Sequence, residues 1–417
     1  MIQRTTKRAN CNREVKMTRN DVSESIINAA LAGADEVEIL AGICERLIAG
    51  GLPIVRASVA GNLLDPTLGG RGVRWLRGRA LEESFPRTGD DPIAEEEWIR
   101  SPFFALIESG QLTLRRRLNA TYRRGEFPIL DTLQSEGATD YVAFVSRVGE
   151  SLRLGEGEGF AVSWAGDATD GFTDAQIEIL AGILPALTLA MMLRTTNRAA
   201  RTVITTYLGS DAAERVLAGN IVRGRAEPIQ AVVWHGDLVG FTRISDTSSA
   251  ETVLALLNDY AEAQVEEIEA HGGHVLKFIG DGILAIFPHG DTAVACKAAL
   301  DSAIALRSRI AELNAHRAAS GLIATETHVA LHIGELLYGN LGSSRRLDFT
   351  VLGPAVNEAA RIEALCGSLE QPIIVSAAFA AAAGAARSQL VSLGRYAMKG
   401  VARPQELFTV DPGCLEP

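Results

Sequence analysis

Apolar residues near the start of the chain recur at helical spacing: Ile26, Ile27, Ala30 and Leu31, then Val37, Ile39, Leu40, Ile43 and Leu47, stopped by Gly50-Gly51-Leu52-Pro53. Two helices are predicted there. Residues 53–63 read as a strand, residues 65–100 as loop around short strands, residues 101–107 as a short helix and residues 111–118 as a strand. Tyr141 to Val148 and Gly159 to Trp164 form a predicted strand pair around the Gly-rich stretch 155–159. Thr173 and Gln176 have capping-box spacing before a long apolar helix, in which Ile177, Leu180, Leu184, Leu187 and Met191 make a short heptad seam that fails at Arg194. The most apolar run, 179–193, contains Pro185 and falls short of the ~20 residues of a membrane span, so a buried helix is predicted. A helical connector follows over 196–225, with Ser210 or Asp211 as cap, and Pro228 marks a domain boundary.

Beyond that boundary the pattern changes period. Ile229 to Trp234 is a strand that runs into His235-Gly236-Asp237-Leu238-Val239-Gly240. Ser248 to Glu251 has capping-box spacing before a helix whose apolar face is Val253, Leu256, Leu257, Tyr260, Val265 and Ile268. His274 to Pro288 then reads as a hairpin with Gly280-Asp281-Gly282 at its tip. Lys277 sits in an otherwise apolar strand, so its ammonium needs a partner or a ligand. Strand, helix and hairpin in this order can bring Asp237 and Asp281 together. Two such carboxylates repel unless cations lie between them, and hard oxygen ligands favour Mg²⁺ or Mn²⁺. A paired-metal site suits phosphoryl chemistry.

The 417 residues are enough for two or three domains at ~150 each. A net charge of −11 argues against general affinity for nucleic acid or anionic membrane. Cys11, Cys44, Cys296, Cys366 and Cys414 are odd in number and lack metal-ligand spacing, which suggests reduced thiols in a cytoplasmic protein. Residues 1–20 are basic without an apolar segment behind them and read as a disordered leader.

Three separated stretches carry a resemblance: Asp237-Leu-Val-Gly-Phe-Thr, Lys277-Phe-Ile-Gly-Asp281, and Thr350-Val-Leu-Gly-Pro-Ala-Val-Asn357-Glu-Ala-Ala-Arg361. Together they resemble the successive motifs of the class III nucleotidyl cyclase catalytic domain, over residues 226–411. The resemblance implies an α+β, ferredoxin-like domain: an antiparallel sheet with helices on one face. It implies that Asp237 and Asp281 hold two Mg²⁺ or Mn²⁺ ions, with the carbonyl of Leu238 as a further ligand, and that Lys277 and Thr350 read the purine. A Lys at that position matches adenine, so ATP is the implied substrate. Asn357 would orient the ribose and Arg361 would stabilise charge on the α-phosphate, with Arg345 (beside Arg346) and Lys399 on the other phosphates. Sites of this family form between two catalytic domains, which implies a homodimer. Thr350 in place of Asp resembles a bicarbonate-responsive subgroup.

Residues 21–195 are similar in layout alone to small-molecule sensor domains of the GAF type, and imply an unknown effector there; a domain that only dimerises fits that layout as well. Other readings are weighed on the same residues. A guanylate cyclase is disfavoured by Lys277, and an inactive nucleotide-binding partner by the intact set of both aspartates, Asn357 and Arg361. A palm-type polymerase needs a basic groove that the sequence does not supply. His235, at a predicted strand end, His271 and His274, in a predicted turn, and His328 and His332, in a predicted strand, give no zinc pattern.

Overall fold

The computed structural model describes residues 18–62, 70–85, 91–149, 159–288, 290–398 and 404–414. The chain divides into two compact units, 1–203 and 204–417. The basic leader up to residue 17 lies outside the described residues.

In the first unit, α1 (Arg19–Leu31) and α2 (Glu36–Ala49) each begin on a capping box, Thr18 with Asp21 and Asp35 with Glu38. Strands β1 (Ile54–Asn62), β2 (Gly70–Leu76) and β3 (Arg79–Phe85) precede the short helices α3 (Pro92–Ile99) and α4 (Pro102–Ser109). β4 (Thr113–Arg117), α5 (Pro128–Ser135), β5 (Asp140–Arg147) and β6 (Gly159–Gly166) complete a six-stranded sheet of order β3-β2-β1-β6-β5-β4. Residues 65–100, expected to be mostly loop, thus hold two seven-residue strands and a helix. Strand alternation splits the core: Val59, Val73, Val162 and Trp164 face α1, α2 and α6, while Tyr141, Ala143 and Ala165 face α4 and α5.

The helix α6 (Asp174–Leu208) begins on the expected box, in which Thr173 and Gln176 exchange hydrogen bonds of 2.9 and 3.3 Å. It does not stop at Arg194, and Pro185 lies inside it. At 35 residues, with an 18-residue window of mean hydropathy 1.8, it is long and apolar enough to cross a membrane by length and composition alone. Leu180, Ile183, Leu187 and Met191 bury its inner face in the core of the first unit. Over the expected connector, α6 runs through the first half and a second helix follows. The short α7 (Ser210–Leu217) begins at Gly209 with no side-chain cap. Asp211 instead bonds Arg215 at 2.9 Å and accepts from the hydroxyl of Tyr338 at 2.8 Å, the latter fastening α7 within the second unit.

In the second unit, β7 (Ala226–Leu238), α8 (Phe241–Thr247), α9 (Ala250–Ala270), β8 (His274–Ile279), β9 (Gly282–Pro288), α10 (Thr292–Ala319) and β10 (Thr327–Gly342) give the strand order β10-β7-β9-β8. That is the ferredoxin-like split βαβ arrangement. The cap of α9 is Ser249, accepting from Thr252, one residue later than the predicted box. The chain continues through β11 (Leu347–Leu352), α11 (Pro354–Glu363), α12 (Cys366–Leu369), β12 (Ile373–Ser376), α13 (Ala377–Ala382), β13 (Leu390–Tyr396) and β14 (Gln405–Val410). Two details differ from the expected antiparallel sheet with helices on one face. The β10–β12 pair is parallel, and helices cover both faces. Val232, Trp234, Val329 and Leu331 pack toward α9, α10 and α13, whereas Ala231, Val233, Leu336 and Tyr338 pack toward α7 and α11. The second cover is needed because a sheet residue such as Val233, 0% exposed, must be buried on its own side too.

Candidate active site

Asp237 is the next-to-last residue of β7 and stands opposite His328 of β10. Asp281 sits in the two-residue loop between Ile279 and Gly282, which pair across the hairpin. Gly280, at φ +65°, takes the left-handed conformation that this tight turn requires. The backbone amide of Leu238 donates to Asp281 Oδ2 at 3.3 Å, which ties the hairpin tip to the end of β7. The two aspartates are therefore brought together as the sequence order implied. Burial, then the charge of Asp281, pushes the Asp237 carboxyl up to about 6.

Glycines shape this corner. A Cβ on Gly282 would stand 2.6 Å from the carbonyl of Gly236 and 3.2 Å from Asp237 Oδ1. A Cβ on Gly236 would stand 2.7 Å from Gln264 Oε1, so the glycine before the aspartate has a packing cause. His235 is half-buried within β7, and burial lowers its pKa. His271 caps α9, with Nδ1 2.8 Å from the carbonyl of Glu267, and His274 opens β8 opposite Ile286.

Two carboxylates held together in a half-buried corner, next to a glycine whose side chain would fill the space, fit a divalent cation with hard oxygen ligands. Among the described residues no group of three or more His, Cys, Asp and Glu is arranged to hold a metal. The pair would thus supply two carboxylates and leave other positions to carbonyls, water or phosphate, the mode Mg²⁺ prefers.

A third carboxylate escaped the sequence reading. Glu363 ends α11, lies 3.9 Å from Nδ1 of His328, and is pushed up to about 7 by burial and by the charges of Asp237 and Asp281. Burial keeps the pKa of His328 low. Its only sequence signal is its place two residues after Arg361. One turn earlier, Glu358 lies 3.8 Å from His332, whose Nδ1 is 2.8 Å from Ser376 Oγ. Both His328 and His332 of β10 therefore face α11.

α11 starts with Pro354 at its N-terminus and buries Ala355, Ala359 and Ile362. Gly334 lets it approach: a Cβ there would be 2.7 Å from Cβ of Ala355. Asn357 and Arg361, four apart, are left exposed. Lys277 of β8 is bound at 2.5 Å to Asp348 of β11, the partner its strand position demanded and a residue the sequence reading did not single out. Thr350, two residues further along β11, is 4% exposed and pairs with Gly339. Arg345 and Arg346 lie in the turn before β11, their amides on Ser343 Oγ at 3.2 and 3.1 Å. Lys399 lies outside the described residues.

Known proteins are similar to part of this chain. The chain is 31% identical over 190 residues to Adenylate cyclase 1 of Rhizobium meliloti, covering 44% of this chain and 28% of that protein. It is 34% identical over 146 residues to an adenylate cyclase of Anabaena cylindrica, covering 35% of this chain and 29% of that protein. The chain thus spans less than a third of the length of these relatives. The crystal structure of the adenylyl cyclase CyaB from P. aeruginosa is similar at 26% identity and a TM-score of 0.41, covering 45% of this chain and 96% of that one. Residues 226–411, from the start of β7 through β14, match the adenylate and guanylate cyclase catalytic domain.

Proposed function

We propose that residues 226–411 convert ATP to 3',5'-cyclic AMP and pyrophosphate. The observation that carries this reading is the joining of Asp237 and Asp281 by the hairpin tip, in a unit that also presents Lys277, Asn357 and Arg361. When bound, a pair of Mg²⁺ or Mn²⁺ ions lowers the pKa of the ribose 3'-hydroxyl and neutralises phosphate charge. Lys277 donates to the adenine ring, and Thr350 completes the contact with its edge. Asn357 orients the ribose. Arg361 supplies a fixed cation for charge developing on the α-phosphate, and Arg345 and Lys399 bind the remaining phosphates. The names of the two relatives above support ATP over GTP, as does the Lys itself.

The site is shared between two copies of the chain in a homodimer, related by a two-fold axis that gives two equivalent sites. Its support is the apolar surface around the site: Phe278 and Ile279 beside the hairpin tip are 58% and 47% exposed, and Leu341 and Leu352 on the β10–β11 hairpin are also exposed. The first unit acts as a GAF-like sensor for a small effector. Its signal would pass along α6 into α7, whose Asp211 holds Tyr338 of β10. Stimulation by bicarbonate is part of the same proposal, supported by Thr350 standing where an Asp would otherwise be.

Turnover of the purified chain with ATP and with GTP, in Mg²⁺ and in Mn²⁺, tests the reading. Cyclic AMP from ATP, lost in Asp281→Ala, is the expected result. Tight ATP binding with no cyclic product in either metal would favour a nucleotide-binding partner module, and preferential cyclic GMP formation would favour a guanylate cyclase.

A further inference from the structure

Lys277 and Asp348 are 71 residues apart in sequence and meet at 2.5 Å. The contact exists because β11 packs over the sheet, burying Phe349 and Val351 with Leu276 and Leu284. The two side chains are 31% and 53% exposed, and ion pairs this wet contribute little to folding. What the pair does restrict is the direction of a flexible four-carbon side chain. Asp348 takes one of the three ammonium hydrogens and leaves two for a ligand. Strand alternation puts Asp348 and Thr350 on one side of β11, opposite Leu341 and Gly339 of β10. The anchor of the ammonium and the hydroxyl next to it are therefore set by one strand.

We infer that Asp348 is a positioning residue for base recognition: it aims the Lys277 ammonium at the purine of the bound nucleoside triphosphate, and the preference for adenine over guanine depends on it. This rests on the adenylate cyclase reading above. Asp348 acts through Lys277 and makes no contact of its own with the reacting atoms.

The test compares the full chain with Asp348→Asn, Lys277→Ala and the double variant, using kcat and KM for ATP and for GTP. Asp348→Asn is expected to raise KM for ATP about tenfold, to change kcat by less than about threefold, and to cut the ATP-to-GTP preference about tenfold, the size of one lost coupling between neighbours. The double variant is expected to match Lys277→Ala. Asp348→Glu, which keeps the charge, is expected to recover most of the preference and stands in if the Asn variant does not fold. An unaltered preference in Asp348→Asn overturns the inference. So does a further loss in the double variant, or a faster enzyme without Asp348, which would mean that the carboxylate competes with the nucleotide for the ammonium. A native chain that prefers GTP overturns the adenylate reading itself; a native preference for ATP with an unchanged variant overturns only the role of Asp348.

Discussion

Burial first, and then the charge of Asp281, raises the Asp237 carboxyl to about 6, because the hairpin tip and the end of β7 hold two like charges in one half-buried corner. A corner that repels its own charge fits a cation, as the proposed function requires. Asp281→Ala is expected to lower turnover by ~10²-fold or more, the usual cost of removing a charge-stabilising element from a site. It is also expected to return Asp237 toward the ordinary carboxylate range. Product formation and the carboxyl titration followed by NMR check the two halves separately.

Glu363 extends that argument to stability. In metal-free solution Asp237 and Glu363 titrate near 6 and 7, above ordinary carboxylates. A carboxyl raised in the folded state contributes fully below its unfolded pKa, and the contribution is lost as pH rises through the folded value. The second unit is therefore expected to lose stability between about pH 4 and pH 7 in chelator. Asp237 is partly exposed, the Glu363 side chain is 13% exposed, and the carboxylates act on one another, so the loss is about 1 to 2 kcal/mol after screening. Glu363→Gln should flatten the curve, and Mg²⁺ or Mn²⁺ should restore stability at pH 8. Denaturant midpoints across pH, with and without metal, are the measurement.

Gly282 separates packing from charge. In Gly282→Ala the new methyl meets a backbone carbonyl at 2.6 Å, which cannot swing away as a side-chain end could. Overpacking of this kind costs about 1 to 3 kcal/mol. Because the second obstacle is Asp237 Oδ1, turnover should fall more steeply than stability does. Parallel unfolding and activity curves would show whether it does.

Arg361 tests the opposite case, a residue outside the core. It is exposed on α11, while Ala359 and Ile362 hold the helix down. Arg361→Ala is expected to leave the unfolding free energy within about 0.5 kcal/mol and to reduce kcat by ~10²-fold with little change in KM. Arg361→Lys should not restore the rate, since a point charge does not reproduce the planar guanidinium. Steady-state kinetics beside thermal unfolding decide it.

The parts legible in the sequence are those that local pattern dictates. Gly280-Asp281-Gly282 between apolar runs required a tight hairpin, and Thr173 with Gln176 required a helix start, and both are present. What the sequence hid are meetings across long separations. Asp348 reaches Lys277 only because β11 lies over the sheet, and Glu363 reaches the aspartates only because α11 packs down on β7 and β10. Neither has a spacing signature. The helix expected across Pro185 is present, because the apolar contacts of Ile183, Leu187 and Met191 override a local helix breaker.

The first unit has a polar keystone of its own. Asp140, 0% exposed, accepts from Arg115 at 2.7 Å and from the amide of Phe172 at 2.9 Å, joining β5, β4 and the entry to α6. Asp140→Ala would leave the Arg115 guanidinium, a quarter exposed, without its main partner, and breaking a buried pair from one side costs about 3 to 5 kcal/mol. Because the partner charge here is partly solvated, the lower end of that range is expected. Hydrogen exchange should show β4, β5 and the start of α6 opening, while protection of β7, β9 and β10 is unchanged, since those strands lie in a separate compact unit. If the first unit governs the proposed cyclase site, the same variant should keep basal turnover and lose its response to effectors. Equal loss of protection in both units would mean that they fold as one.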